Sequence, residues 1–328
     1  MTAYLIRRIG IGLITLVLIT ALIYGLLRAM PGSPITADPA NLNPSKQITE
    51  EARKLYEKQY HLDKEWYVAY VLWLKDLVLH GDLGISFKNN NRGVTSLIVD
   101  RMPATLLLSV TSLVLAYGLS IPLGLWATAK DGTLAERSVS VVLYMLYSLP
   151  AFVAALYLQL LFYVKLGWLP LFGMTSDNYA DLSTLGKAFD VMQHAALPIV
   201  CFTYGALAYD SRFIRANMQE VVRQDYIRTA KAKGVGPRAV LWRHAFRNTL
   251  IPLVTMLGMT LPTLLSGAVI LEQVFAWPGM GQLYFDAIKQ HDYNVVMGLT
   301  LMFSVLTLVG QLLADVLYAV VDPRVSYQ

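Results

Sequence analysis

Long uncharged runs alternate with short charged ones along this chain. Ile9–Leu27, Met102–Ala129, Ser138–Val164, Asn248–Leu271 and Tyr293–Ala314 hold no Asp, Glu, Lys or Arg. Each reaches or exceeds the roughly 18 apolar residues that suggest a bilayer-crossing helix. A sixth run, Ala195–Tyr209, is shorter and becomes long enough if His194 and Asp210 sit at the two interfaces. The pattern predicts an all-α polytopic membrane protein of six transmembrane helices, with a large segment between the first two. Residues 1–30 are the N-terminal span, 31–101 the inserted segment and 102–328 a core of five spans with a charged loop at 217–249.

Composition agrees. Of 328 residues, 55% are hydrophobic and only 15% charged, against roughly 25% charged in soluble domains. Basic residues at the helix ends set the orientation. Between Arg212 and Arg247 there are nine Lys or Arg against Glu220 and Asp225 alone, so that stretch is expected in the cytoplasm. Arg7, Arg8, Lys130, Arg137 and Arg324 agree, placing both termini inside and the near-neutral segment 31–101 outside. The first uncharged run exceeds the usual 7–15-residue core of a signal peptide and lacks a small-residue cleavage site, so it reads as an uncleaved span.

Inside the external segment, Pro31–Ser45 reads as irregular chain. Thr49 is expected to open one helix and Asp63 to cap another. Trp66, Ala69, Tyr70, Trp73, Leu74 and Leu77 then recur at helical spacing, and Gly81–Gly84 reads as a turn. Pro122, Pro150, Pro198 and Pro262 fall inside the predicted spans. They suit either a flexible, cavity-lining helix or ordinary tolerance of proline in membranes. Cys201 is alone, which rules out an internal disulfide and leaves a small buried residue as the reading. His194 and His291 lie at predicted outer ends and read as solvated. Asp210, Arg212, Arg215 and Asp315 read as interfacial structural charges, with ion coupling as the alternative.

The most distinctive stretch is Gln224–Asn248, QDYIRTAKAKGVGPRAVLWRHAFRN. Asp225 suits a helix start. Tyr226, Ile227, Ala230 and Lys231 share a face at helical spacing, and Ala230 and Ala232 let a partner approach the backbone. Gly234 suits a left-handed helix end, and Pro237 the first turn of a second helix, Arg238–Arg247. A short helix rigidly joined to a span is what a lever requires. The competing reading is a basic helix resting on anionic lipid.

This loop resembles the cytoplasmic coupling loop of ATP-binding-cassette importer permeases, in the version found in oligopeptide, dipeptide and nickel type B subunits. Arg228, Thr229, Ala230, Ala232, Lys233, Gly234, Arg243, His244 and Asn248 carry it. Arg228 stands where the wider pattern has glutamate, and Phe246-Arg247 where it has leucine-proline. Short stretches elsewhere are also similar: GDLGISF from Gly81, RMPATLLL from Arg101, LGWLP from Leu166, PGMG from Pro278 and DYNVV from Asp292. The resemblance implies a permease forming half of a translocation pathway for short peptides, or for nickel or another small solute. It implies a homologous second permease chain, two ATPase subunits, an extracytoplasmic solute-binding protein and residence in the inner membrane. The coupling residues it implies are Asp225, Tyr226, Arg228, Thr229, Ala230, Lys231, Lys233 and Gly234, with Ala230 facing the ATPase groove.

There is no G-x-x-x-x-G-K-[ST] phosphate loop, and neither H-E-x-x-H nor G-x-S-x-G occurs. The chain therefore reads as no enzyme. It needs no cofactor or metal of its own, with ATP and magnesium on partner subunits, and no nucleic acid is expected to bind. The rivals are a secondary transporter or channel, whose paired mid-span charges or repeated broken helices are not evident, and a membrane-anchored assembly protein.

Overall fold

The protein is described by a computed structural model covering residues 2–31, 54, 57, 58, 61–86, 88–266 and 269–321. The expectations for Pro31–Ser45, beyond Pro31 itself, and for Thr49 lie outside these residues. The chain divides into two compact units, Met1–Met102 with Leu283–Leu308, and Pro103–Gln282 with Val309–Tyr327.

In the first unit, helix α1 (Thr2–Ala29) packs along helix α2 (Trp66–His80). The Tyr70 hydroxyl lies 2.9 Å from Thr20 Oγ1 and donates to the Val17 carbonyl at 3.0 Å. Ala69, Tyr70 and Trp73 form the buried face that their spacing predicts. Asp63 does not cap α2. Glu65 is the N-cap and makes no side-chain bond, while Arg28 donates to the Leu62 and Lys64 carbonyls at 3.3 and 2.6 Å and holds the entering chain. Gly81, at φ 64°, ends the helix in the left-handed region where a Cβ is penalised.

Two stretches distant in sequence then meet. Strands β1 (Ile85–Ser86) and β2 (Arg92–Gly93) pair antiparallel, Ile85 opposite Gly93. Asn294 donates to the Ile85 carbonyl at 3.0 Å, and Ser86 donates to the buried Asp292 carboxylate. Ser86 in turn accepts from the Asn89 backbone and side chain at 3.1 and 2.9 Å. Burial raises the Asp292 carboxyl above the ordinary carboxylate range, while the Ser86 and Val295 donors and the charge of Lys88 pull it back. GDLGIS and DYN are thus two halves of one hydrogen-bonded knot. Gly84 is required there, because a Cβ would sit 2.7 Å from the Asn294 amide nitrogen. Helix α3 (Val94–Ala129) follows β2 directly.

In the second unit the expected single span Ser138–Val164 is broken. Helices α4 (Leu134–Ser148) and α5 (Ala151–Gln159, running on through a π-helical stretch to Lys165) meet at 95°. The cause is Pro150. Its ring disfavours helical backbone at Leu149, which adopts φ −82°, ψ 118°. The Tyr204 hydroxyl donates to the Leu149 carbonyl at 2.7 Å and satisfies it. Pro122 and Pro198, by contrast, ride inside continuous helices.

The fourth run is much longer than expected. Helix α6 spans Thr184–Val222, and Ser183 Oγ caps it by accepting the Gly186 amide at 3.2 Å. At 1.5 Å per residue it is about 58 Å long, nearly twice the hydrocarbon thickness, so both ends project. His194 is buried rather than solvated, with Nδ1 2.8 Å from the Asp190 carbonyl. Asp190 itself receives the Ser176 amide at 2.9 Å and the Ser176 hydroxyl, and so anchors the loop before α6. Where α3 and α6 cross, a Cβ on Gly124 would lie 2.7 Å from Ile214 Cγ2.

Helix α7 (Asp225–Ala232), the single turn α8 (Pro237–Ala239), helix α9 (Phe246–Ser266), helix α10 (Val269–Val274), helix α11 (Met280–Lys289) and helix α12 (Tyr293–Val321) complete the order. Among the described residues α1, α3, α6 and α12 are long and apolar enough to cross a membrane, and the bent α4–α5 pair adds a fifth span if it counts as one. The remaining expected span, Asn248–Leu271, is helical from Phe246 to Ser266.

The core of this unit is Leu108, Ala155, Leu197, Cys201, Phe275 and Trp277 with their neighbours. Set into it is a fully buried acid, Glu272, which the sequence reading did not single out. Glu272 accepts the Thr105 hydroxyl at 2.9 Å and the Gln282 amide at 3.0 Å, while Thr105 Oγ1 accepts the Met280 amide at 2.8 Å. Together they satisfy backbone donors at the start of α11 that have no partner within the helix. This explains PGMG. A Cβ on Gly279 would overlap Glu272 Oε2 and lie 2.5 Å from Thr105 Oγ1, and one on Gly281 would lie 2.9 Å from Val269 Cα.

Candidate coupling segment

The charged loop is a helix, a stop and a second helix, as its sequence predicts. Gln224, at φ −70° and ψ 151°, turns the chain out of α6 into α7. The stop is a Schellman motif. The Gly234 amide donates to the Lys231 carbonyl at 3.0 Å, and the Val235 amide reaches back to the Ala230 carbonyl at 3.2 Å. Gly234 has φ 79°, the left-handed conformation this motif demands. Gly236 is extended, and Pro237 occupies the first helical position of α8. Val240–Ala245 follows as a π-helical stretch and runs into α9, so the second helix of the loop is continuous with α9.

The expected shared face of α7, Tyr226, Ile227, Ala230 and Lys231, is divided. Ile227 and Ala230 are its buried residues, so Ala230 turns toward this chain rather than outward. Ile227 joins Leu125, Ile214, Met218, Val240, Ala245 and Leu253 in an apolar cluster. The pair is one helical turn apart, and one short turn of apolar contact seats α7 on the ends of α6 and α9. Tyr226 and Lys231, expected on the same face, are exposed, as are Asp225, Arg228, Thr229, Lys233 and Gly234.

Further bonds hold α7 in place. Asn248 donates to the Tyr226 hydroxyl at 2.8 Å and to the His244 carbonyl at 3.0 Å, tying α7 to α9. Thr229 Oγ1 donates to the Asp225 carbonyl at 3.0 Å. Arg228 and Asp225 pair at 3.3 Å in full exposure, which adds little stability. The outer face is therefore a mixed but mostly basic strip, held on a seat that fixes its direction.

Residues 120–327 match the family described as "Binding-protein-dependent transport system inner membrane component", and residues 1–109 match "Binding-prot-dependent transport system membrane comp, N-term". The chain is 37% identical over 327 residues to the oligopeptide transport system permease protein AppB of Bacillus subtilis, covering 100% of each. It is 34% identical over 341 residues to the di/tripeptide transport system permease protein DppB of Pseudomonas aeruginosa, again with 100% of each covered. The dipeptide transport system permease protein DppB of Escherichia coli K12 is 32% identical over 344 residues, with 100% of each covered. In fold it is similar to a chain of the methionine ABC transporter MetNI in an inward-facing conformation, at a TM-score of 0.51 and 19% identity, covering 68% of this chain and 97% of that one. Matches running through both parts of the sequence lead to one conclusion: the chain belongs to the binding-protein-dependent transport system inner membrane component family.

Proposed function

We propose that this chain is a permease subunit of an ATP-driven importer of short peptides. The full-length likeness to peptide permeases carries this reading. Those relatives favour peptides over nickel. Family membership favours an ATPase-coupled importer over a secondary transporter or channel.

In this reading a second, homologous permease completes the pathway, and an extracytoplasmic binding protein delivers the cargo. Two ATPase subunits hold the ATP and magnesium. They grip α7 through Tyr226, Arg228, Thr229, Lys231 and Lys233 beside Asp225, while Ala230 seats the helix and Gly234 stops it. ATP closes the ATPase pair, α7 moves with it, and α6 and α9 carry the motion into the membrane, alternating the cavity between its two sides. The chain lies in the inner membrane with both termini and α7 in the cytoplasm.

Reconstituted with these partners, the protein should accumulate a labelled dipeptide or tripeptide in proteoliposomes only when ATP is supplied. ATP-independent uptake, or uptake of nickel in place of peptide, would sink the reading. Orientation is checked in cells after replacing Cys201. A membrane-impermeant thiol reagent should label Asn90→Cys from outside and spare Gly236→Cys. The reverse pattern would invert the topology and remove α7 from the ATPases.

A further inference from the structure

Near its C-terminal end α6 carries a cluster of aromatic and basic groups facing α4. The Tyr209 ring stacks with Phe213 and with Tyr147, each at 6.4 Å between centroids. The Arg212 guanidinium lies over the Tyr144 ring at 4.0 Å. Tyr144, Tyr209, Arg212 and Phe213 border an open hollow of about 330 Å³, with Ser140, Arg215 and Gln219 also lining it. That is the small end of the roughly 300–1,000 Å³ typical of ligand pockets, enough for part of a short peptide.

The two arginines are in different states. Arg215 is committed: Nη2 donates to Asp131 at 2.9 Å, and Nη1 lies 2.7 Å from the buried Glu136 carboxylate and 3.3 Å from Ser140 Oγ. Gln219 donates to the same Asp131 oxygen at 2.9 Å. Arg212 pairs with no carboxylate and donates no hydrogen bond among the described residues. Stacking uses only its π face. Its N–H groups lie in the guanidinium plane, so they stay available to a planar, two-oxygen acceptor. A half-buried cation without a counter-ion is costly, and an anion offsets that cost.

We infer that this hollow is a carboxylate subsite on the translocation path. Arg212 holds the C-terminal carboxylate of the carried peptide, and Tyr144, Tyr209 and Phe213 receive its last side chain. The inference rests on the peptide reading above. A lipid phosphate offers the same anionic oxygens, and the test separates the two sources.

The complete transporter, without its binding protein, is placed in phosphatidylcholine nanodiscs. Binding of radiolabelled Ala-Ala-Phe is measured with unlabelled Ala-Ala-Phe and its C-terminal amide as competitors. The amide should compete about tenfold less well, the size of one charge-assisted pair. Arg212→Gln should weaken the free acid about tenfold, leave the amide within about twofold, and so erase the difference; Arg212→Lys should keep part of it. No binding by the wild type, equal competition by acid and amide, or an equal loss of both in Arg212→Gln would each overturn the subsite. If the hollow takes lipid, phosphatidylglycerol nanodiscs will abolish binding in the wild type but not in Arg212→Gln, which also overturns it. ATP-driven Ala-Ala-Phe uptake with the binding protein present is measured in parallel. Absent uptake sinks the peptide reading itself, whereas normal uptake with equal binding of acid and amide sinks only the carboxylate subsite.

Discussion

Gly279→Ala should abolish transport and reduce the amount of folded permease in the membrane severalfold. The added methyl would enter the space of Glu272 Oε2 and come within 2.5 Å of Thr105 Oγ1. Neither can retreat cheaply. Glu272 is fully buried and bound to Thr105 and the Gln282 amide, and Thr105 also receives the Met280 amide. Overpacking costs about 1–3 kcal/mol, and leaving a buried polar group without its hydrogen bond adds about 1–3 kcal/mol. Against a total stability of roughly 5–15 kcal/mol, that is a large fraction. The measurement is thermal unfolding in detergent with ATP-driven uptake alongside. A double-mutant cycle with Glu272→Ala isolates the cause. Because both changes break the same Glu272–Thr105 network, the double variant should lose much less than the sum of the singles. Additive losses, or a Gly279→Ala protein of wild-type stability, would show that the carboxylate does not demand the glycine.

The Glu272–Thr105 network also shows where sequence reading stops. The spans at α1, α3, α6 and α12 were legible because lipid requires long uncharged runs, and the composition left few other ways to read them. The break at Pro150 was not legible. Ser138–Val164 is apolar throughout, and a proline in such a run can either bend a helix or divide it. What decides is the partner for the freed carbonyl, Tyr204, which is 55 residues away. The length of α6 was hidden because His194 and Asp210 read as the span ends, yet a helix does not stop where the bilayer does. Glu272 escaped notice because its partner Thr105 is 167 residues distant. The backbone path of the candidate coupling segment was more legible. Gly234 and Pro237 carry local backbone signals, and local signals need no tertiary context. The facing of Ala230 was not a local matter. An alanine fits a partner's groove or its own chain's interior equally well, and Ile227 one turn earlier was the clue that it faces inward.

That facing changes how docking to the ATPases must be tested. Ala230→Glu would put a charge into a seat built from Ile227 and its apolar neighbours. Burying an unpaired charge there costs about 3–5 kcal/mol, so α7 should detach from its own chain before any partner is considered. Hydrogen exchange across Asp225–Val235 should then rise sharply, and ATPase binding should fall with it. The informative variants lie on the outer face. Arg228→Glu with Lys231→Glu reverses two exposed charges and leaves Ile227, Ala230 and the Gly234 stop untouched. Exchange across α7 should stay at the wild-type level. Co-purification of the ATPase subunits and ATP-driven transport should fall more than tenfold, as expected when like charges meet across an interface at a cost of several kcal/mol. A helix merely resting on anionic lipid would lose only about 1 kcal/mol per altered charge, and only in anionic membranes. If the double reversal keeps the ATPases bound and transport intact, α7 is not their handle. If Ala230→Glu leaves exchange unchanged, the seat described here does not hold the helix.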